Sequence, residues 1–243
     1  MGLILPLTLL VLWYAAARWD ALPTHILPAP WEVWAALEEL WETGELASHA
    51  GWSMRRVAQG FALGATLGLA LGAAMALSPR FAEYARPSFL AIAQVPVIGW
   101  VPLLMIPLGI GEALKLVIIA KAALVPIAIN TEAGIAAVPR GWVEVGEAFR
   151  YSRAQLLRHV VLPAAVPPIF TGIRYGLTSC WKALVAVELL ASAEGLGFLL
   201  VWGRQMFQMD MVVAGILIIA VIGVVFDGAL ALVERRLQRW RQA

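Results

Sequence analysis

The chain has 243 residues, of which 61% are apolar and only 14% charged, with a formal net charge of +2. Soluble domains run about 45–50% apolar and about 25% charged, so this composition excludes a disordered protein, a nucleic-acid-binding domain and most soluble enzymes. The apolar residues fall in blocks near the roughly 20 residues that a bilayer-crossing helix needs, which predicts an all-α, polytopic membrane protein.

Six blocks follow in chain order. The first, 3–19, lacks a basic leader, which favours a retained signal anchor, although Ala15, Ala16 and Ala17 leave cleavage open. Residues 31–46 then carry Trp31, Val33, Trp34, Leu37, Leu40 and Trp41 beside Glu32, Glu38, Glu39, Glu42 and Glu45. That pattern predicts a helix with an apolar face and an acidic reverse, lying on the membrane surface or packed on the protein's own body. The second block, 57–77, repeats Gly60, Gly64, Gly68 and Gly72 every four residues, a small-residue stripe for close helix approach within one subunit or at a subunit interface. The third, 89–110, is interrupted by Pro96, Pro102 and Pro107. Prolines free backbone carbonyls, which a membrane tolerates beside other helices or a wet cavity, so this block reads as a pathway helix or a packing kink. The fourth, 114–135, contains Pro126; the fifth, 168–190, contains Gly172 and Gly176; the sixth is 211–233.

An even number of spans places both termini on one side. If that side is the cytoplasm, ten arginines fall inside (Arg80, Arg86, Arg140, Arg150, Arg153, Arg158, Arg235, Arg236, Arg239, Arg241) and five basic residues outside (Arg18, Arg55, Arg56, Lys115, Arg204). This satisfies the positive-inside rule and makes 139–165 the longest inner loop, with the rest of 1–243 a single transmembrane domain.

Lys121, Arg174, Lys182, Glu188 and Asp227 lie within the predicted spans. Intramembrane charges pair, face the bundle interior or line a pathway. Arg174 stands near the inner end of its span and can snorkel. Lys182 is expected to pair with Asp227 or Glu188, with a lining role as the competing reading. The single cysteine, Cys180, permits no intrachain disulfide or thiol metal cluster and reads as a small packing residue. His25, His49 and His159 are scattered, no HExxH or GxSxG occurs, and no metal or catalytic residue is expected.

The inner loop predicts two short helices, an amphipathic one over 142–151 and a second over 153–161 that Leu162-Pro163 stops. Such a loop is shaped for docking into a partner's groove. Glu144, Gly146, Leu162 and Pro163 match the EAA loop of ABC-transporter permeases of the binding-protein-dependent import class, and the segment resembles it; Ser152, Arg153 and 167–174 continue the match. Arg150 stands where that family usually has a glycine, a departure that bears on the turn, because glycine adopts left-handed backbone angles freely and arginine does so at a cost. Leu27-Pro28-Ala29-Pro30, Val33-Trp34, 96–103, 130–135, Val187-Glu188, 195–198 and 232–236 are similar to the nitrate/sulfonate/taurine branch.

The resemblance implies a type I importer permease in a bacterial or archaeal plasma (inner) membrane. Its implied partners are a second copy of the chain in a homodimer, two cytoplasmic ATPase subunits and an external solute-binding protein. No nucleic acid is involved. The implied cargo is a small anion such as a sulfonate, taurine or nitrate. The chain contains no GxxxxGK[ST] phosphate loop, so no cofactor is expected here and ATP with magnesium belongs to the ATPase. Glu144, Gly146, Glu147, Ala148, Arg150, Ser152, Arg153, Leu162 and Pro163 are the expected coupling residues, with Glu144 holding the loop by hydrogen bonds or an arginine pair. Gln94, Pro96, Trp100, Lys182 and Glu188 are the pathway candidates. The rival readings are a secondary transporter using Glu188 and Asp227 as a proton relay, and a membrane enzyme.

Overall fold

The computed structural model describes residues 4–19, 23 and 26–237. Leu3, His25, Arg239 and Arg241, used in the sequence reading, lie outside the described residues, as does the Arg235 side chain. The described elements are all helical: α1 (Ile4–Arg18), α2 (Pro30–Glu42), α3 (Glu45–Leu77), α4 (Pro79–Gln94), a 3₁₀ turn (Val97–Trp100), α5 (Val101–Leu108), α6 (Glu112–Ala136), α7 (Arg140–Ala148), α8 (Arg153–Leu156), a π turn (Leu157–Val161), α9 (Leu162–Ala191), α10 (Leu196–Gln205) and α11 (Met209–Leu237). They fall into two compact units, one of Met1–Arg55 with Val185–Ile222 and one of Arg56–Leu184 with Gly223–Ala243.

Among the described residues three stretches are long and apolar enough to cross a membrane: Glu45–Leu77, Arg153–Ala191 and Met209–Glu234. A fourth is added if Pro79–Gln94 and Val97–Leu108, bent by 98°, are one broken span. Two of the six sequence blocks stand apart from these. The first is a shorter apolar helix of 15 residues. The fourth is α6, whose Leu114, Ile118, Ile119, Ala123, Ile127 and Ala128 are at most 1% exposed, so it forms the core of its unit.

In the first unit, α2 places Val33, Ala36 and Leu40 inward at a spacing of three to four residues, the period that puts side chains on one helix face. Val33 and Ala36 pack with Ala214 and against Trp13, Leu37 and Val213. Trp31, Trp34 and Trp41 remain exposed. Thus α2 packs on the protein's own body while offering tryptophans outward. The Trp13 indole N–H donates to the Pro28 carbonyl at 3.0 Å.

In the second unit, α6 lies against the glycine stripe of α3 on one side and against α9 on another. A Cβ on Gly64 would come 2.7 Å from the Ala123 Cβ and collide with the Ala120 carbonyl, and one on Gly72 would come 2.8 Å from the Thr131 Cβ. Gly172 and Gly176 face Asn130 and Ile127 in the same way. The stripes therefore serve packing within the subunit. Cys180 is buried, and its thiol donates to the Ile119 carbonyl at 3.2 Å. We expect Gly64→Val to cost about 1–3 kcal/mol by overpacking, because backbone rather than a movable side chain blocks it. Gly228→Ala, where nothing lies within 4 Å, should be neutral. Thermal melts of the detergent-solubilised variants followed by size exclusion check this.

At the start of α6 the Arg56 guanidinium grips Glu112 with both ends of its fork, Nε to Oε2 at 2.9 Å and Nη2 to Oε1 at 2.8 Å. Lys115 Nζ adds a third bond at 2.7 Å. The Arg56 hydrogen bond, aided by Lys115 and opposed by burial, lowers the Glu112 carboxyl to about 2. A depressed carboxyl contributes stability above its ordinary unfolded value, about 4.3, and loses it as pH falls toward 2. The Glu112 side chain is half exposed, so screening reduces the effect to about 1 kcal/mol. The melting temperature of wild type should therefore fall more steeply than that of Glu112→Gln between about pH 4 and pH 2.

Candidate functional site

The loop 139–165 is built around a glycine contact. Gly146 is buried on α7, and a Cβ there would meet Leu156 Cδ2 at 2.5 Å, with Tyr151 and Val160 at 3.6 Å. Only a hydrogen at this position lets α8 and the π turn lie so close to α7. The end of α7 closes as a Schellman motif: the Arg150 N–H donates to the Glu147 carbonyl at 2.8 Å and the Tyr151 N–H to the Gly146 carbonyl at 3.0 Å. This closure requires a left-handed residue, and Arg150 supplies it with φ 58. The position where the resemblance expects glycine thus keeps glycine's backbone conformation with an arginine side chain, at about 1–2 kcal/mol. Arg150→Gly removes that strain but adds chain entropy of about 0.5–1 kcal/mol in the unfolded state. The expected net is a stabilisation of up to about 1 kcal/mol, visible as slower amide exchange over 146–151.

Ser152 caps α8. Its Oγ accepts the Gln155 N–H at 3.3 Å, and its own N–H donates to Gln155 Oε1 at 2.8 Å, a reciprocal box. Beyond α8 the sequence reading needs correction: Leu162-Pro163 does not stop the helix. Arg153–Ala191 is one helical stretch of 39 residues. Proline cannot donate to the carbonyl four residues back, and its ring crowds that carbonyl. The backbone widens here into the π turn Leu157–Val161, where the Leu162 N–H reaches back to the Leu157 carbonyl, and so passes Pro163 without breaking.

Glu144 also departs from expectation. It is exposed on α7 and has no hydrogen bond or ion pair among the described residues. It does not hold the loop; Gly146 and the Schellman closure do. Glu147, Ala148 and Arg153 are exposed as well. What the motif residues leave unmarked is an apolar surface. Trp142, Val145 and Phe149 lie on one face of the α7 turn at 56%, 58% and 75% exposure. A groove of about 340 Å³ runs between Trp142 and Val145 and the following helix, lined also by His159, Val160, Pro163 and Ala164. The three-and-four spacing of 142, 145 and 149 was the sequence signal for it. This groove and stripe can seat an apolar surface of another chain.

The pathway candidates separate into three places. Gln94 and Pro96 stand at the 98° break, and Trp100 ends the 3₁₀ turn after it. The break follows from Pro96: Val95 before it is extended, with φ −74 and ψ 120, the conformation a following proline imposes. Pro102 sits in the first turn of α5 and Pro107 in its last. Lys182 is exposed on α9 and has no ion pair among the described residues. The expected Lys182–Asp227 and Lys182–Glu188 pairs do not form. Asp227 is held instead by Arg174, Nε to Oδ1 and Nη2 to Oδ2 both at 2.9 Å, and Arg174 Nη1 reaches Glu234 at 3.1 Å.

Glu188 is buried, 1% exposed, and serves the N-terminus of α10. The Ser53 hydroxyl lies 3.0 Å from both of its carboxylate oxygens, and the Gly197 N–H donates to Oε2 at 3.0 Å. The Leu196 N–H donates to Ser53 Oγ at 2.9 Å, and the Gly195 N–H to His49 Nδ1 at 3.0 Å. Orphan amides at a helix start need acceptors and favour a negative charge; Glu188, Ser53 and His49 provide them. Gly195, with φ 111, must be glycine, since a Cβ would strike the Glu188 carboxylate.

The family model described as "Binding-protein-dependent transport system inner membrane component" matches residues 64–239. A putative aliphatic sulfonates transport permease protein of Bacillus subtilis (strain 168) is 36% identical, covering 100% of this chain and 88% of the relative. The taurine transport system permease protein of Escherichia coli (strain K12) is 33% identical, covering 96% and 86%. Among solved structures, an amino acid ABC transporter with histidines superposes at a TM-score of 0.70 with 19% identity over 82% of this chain and 97% of that one. The inward-facing MetNI methionine ABC transporter superposes at 0.66 with 16% identity over 76% and 92%. The exposed loop groove, the apolar helices and these likenesses agree: the chain belongs to the binding-protein-dependent inner-membrane permease family, as a multi-pass, non-enzymatic subunit of an ATP-binding-cassette importer whose ATP hydrolysis is the task of a partner subunit.

Proposed function

We propose that this chain is one of two identical copies that form the passage of an importer for small sulfonates or related oxyanions such as taurine or nitrate. The observation that carries the cargo class is the 36% identity, over the whole chain, to a permease named for aliphatic sulfonates, with 33% to one named for taurine. A solute-binding protein delivers the cargo from outside, and both termini face the cytoplasm. Each copy seats one ATPase subunit on the Trp142–Val145–Phe149 stripe and its groove; ATP and magnesium bind to that subunit and not here. The unbroken helix Arg153–Ala191 supports a direct mechanical link from this seat to the membrane segment. Gln94, Pro96 and Trp100 at the break, with exposed Lys182, are the candidates for lining the passage.

The test is uptake by the complete complex in proteoliposomes, with ethanesulfonate, taurine, nitrate and, as an amino acid without a sulfonate, alanine as cargo. ATP-dependent uptake of the first three but not the last is the expected result. Uptake of the amino acid alone overturns the cargo class. Labelling of a cysteine placed near each terminus, from either face of sealed vesicles, checks the orientation.

A further inference from the structure

The break at Val95-Pro96 leaves a backbone carbonyl outside the hydrogen-bonding of either flanking helix, and the structure puts a charge on it. Lys121 Nζ donates to the Val95 carbonyl at 3.1 Å. The same ammonium lies 5.3 Å from the centre of the Trp100 ring, within cation–π range. The Trp100 indole N–H is buried and has no hydrogen-bond partner among the described residues. Lys121 has no carboxylate partner among them either. It stands nine residues into α6, about 14 Å along that helix at 1.5 Å per residue.

The inventory is unbalanced. An ammonium has three donors and an indole one, while the cluster shows a single acceptor, the Val95 carbonyl. The half-buried ammonium has no carboxylate beside it among the described residues, and the buried indole N–H has no acceptor, which is costly. An oxyanion supplies what is missing: a negative charge for Lys121 and a second oxygen for the indole N–H.

We propose that Lys121 and Trp100, at the Pro96 break, form a contact point for the transported anion, and that Lys121 rather than Lys182 supplies its positive charge. In the empty state the Val95 carbonyl holds the ammonium against the Trp100 ring. Arrival of a sulfonate draws Lys121 off that carbonyl and opens the indole N–H to a second oxygen. The inference rests on the anion reading above.

The test uses the complete complex in proteoliposomes, with labelled ethanesulfonate as the probe and ATP hydrolysis measured in parallel. Lys121→Met is expected to lower uptake about tenfold or more, the loss of one charge-assisted contact, with binding-protein-stimulated hydrolysis within about twofold of wild type. Lys121→Arg should retain most uptake. Trp100→Phe, which keeps the ring and deletes the N–H, should lower uptake several-fold. Wild-type uptake in Lys121→Met overturns the contact while leaving the anion reading standing. Equal loss of uptake and hydrolysis in both Lys121 variants also overturns it, because that marks a packing role. A wild-type complex that carries alanine and no ethanesulfonate overturns both readings.

Discussion

Trp142→Ala combined with Phe149→Ala should release the ATPase from the permease. Exposed aromatic anchors on a rigid helix are the residues that dominate interfaces, at about 2 kcal/mol or more each, and each 1.4 kcal/mol is tenfold in affinity. Together they are worth about a thousandfold, less whatever their coupling removes. Neither side chain is buried in the chain itself, at 56% and 75% exposure, so the double variant should fold and insert normally. Arg153→Gln, on the exposed first turn of α8, should change affinity by less than about 1 kcal/mol, as surface ion pairs do. The measurement is co-purification with tagged ATPase, followed by titration in detergent. Wild-type affinity in the double variant would remove the stripe from the docking surface.

The second large effect belongs to Glu188. Glu188→Ala strips the acceptor from the Gly197 N–H and the Ser53 hydroxyl in a site 1% exposed. Unpaired buried donors cost about 1–3 kcal/mol each, so a loss of about 3–5 kcal/mol is expected and little folded protein should be recovered. Glu188→Gln keeps one carbonyl oxygen and nearly the same shape, and should lose roughly half as much. A pathway-lining carboxylate would behave differently: both variants would fold, and uptake would change at constant stability. Melting curves and uptake on the same preparations separate the two.

Much of this arrangement was legible in the chain. Composition gave the membrane class, the loop motif gave the family, and the glycine stripe gave a close helix contact. The misplaced parts share a physical cause. Arg174 and Lys182 are eight residues apart, about 12 Å along one helix and on nearly the same face, so either could meet Asp227 on sequence grounds. Depth along the neighbouring helix decides for Arg174, and no local pattern encodes depth. The role of Glu188 depends on Ser53, 135 positions away. Leu162-Pro163 looks like a helix end because proline usually is one; the widened turn before it is a tertiary accommodation. Lys121 was visible as a charge within a span, but its link to the Pro96 break needed three-dimensional neighbours.

The 39 residues of Arg153–Ala191 measure about 58 Å at 1.5 Å per residue, nearly twice a hydrocarbon thickness of about 30 Å. Tilt does not absorb the surplus: even at 40°, the upper end of observed tilts, the helix still projects about 45 Å along the membrane normal. A bilayer of ordinary depth therefore leaves roughly four or five helical turns of it in water or headgroups. The groove at Val160 and Pro163 is thereby carried on a prefabricated stalk, and a water-soluble partner can reach it without entering the bilayer and without a flexible tether.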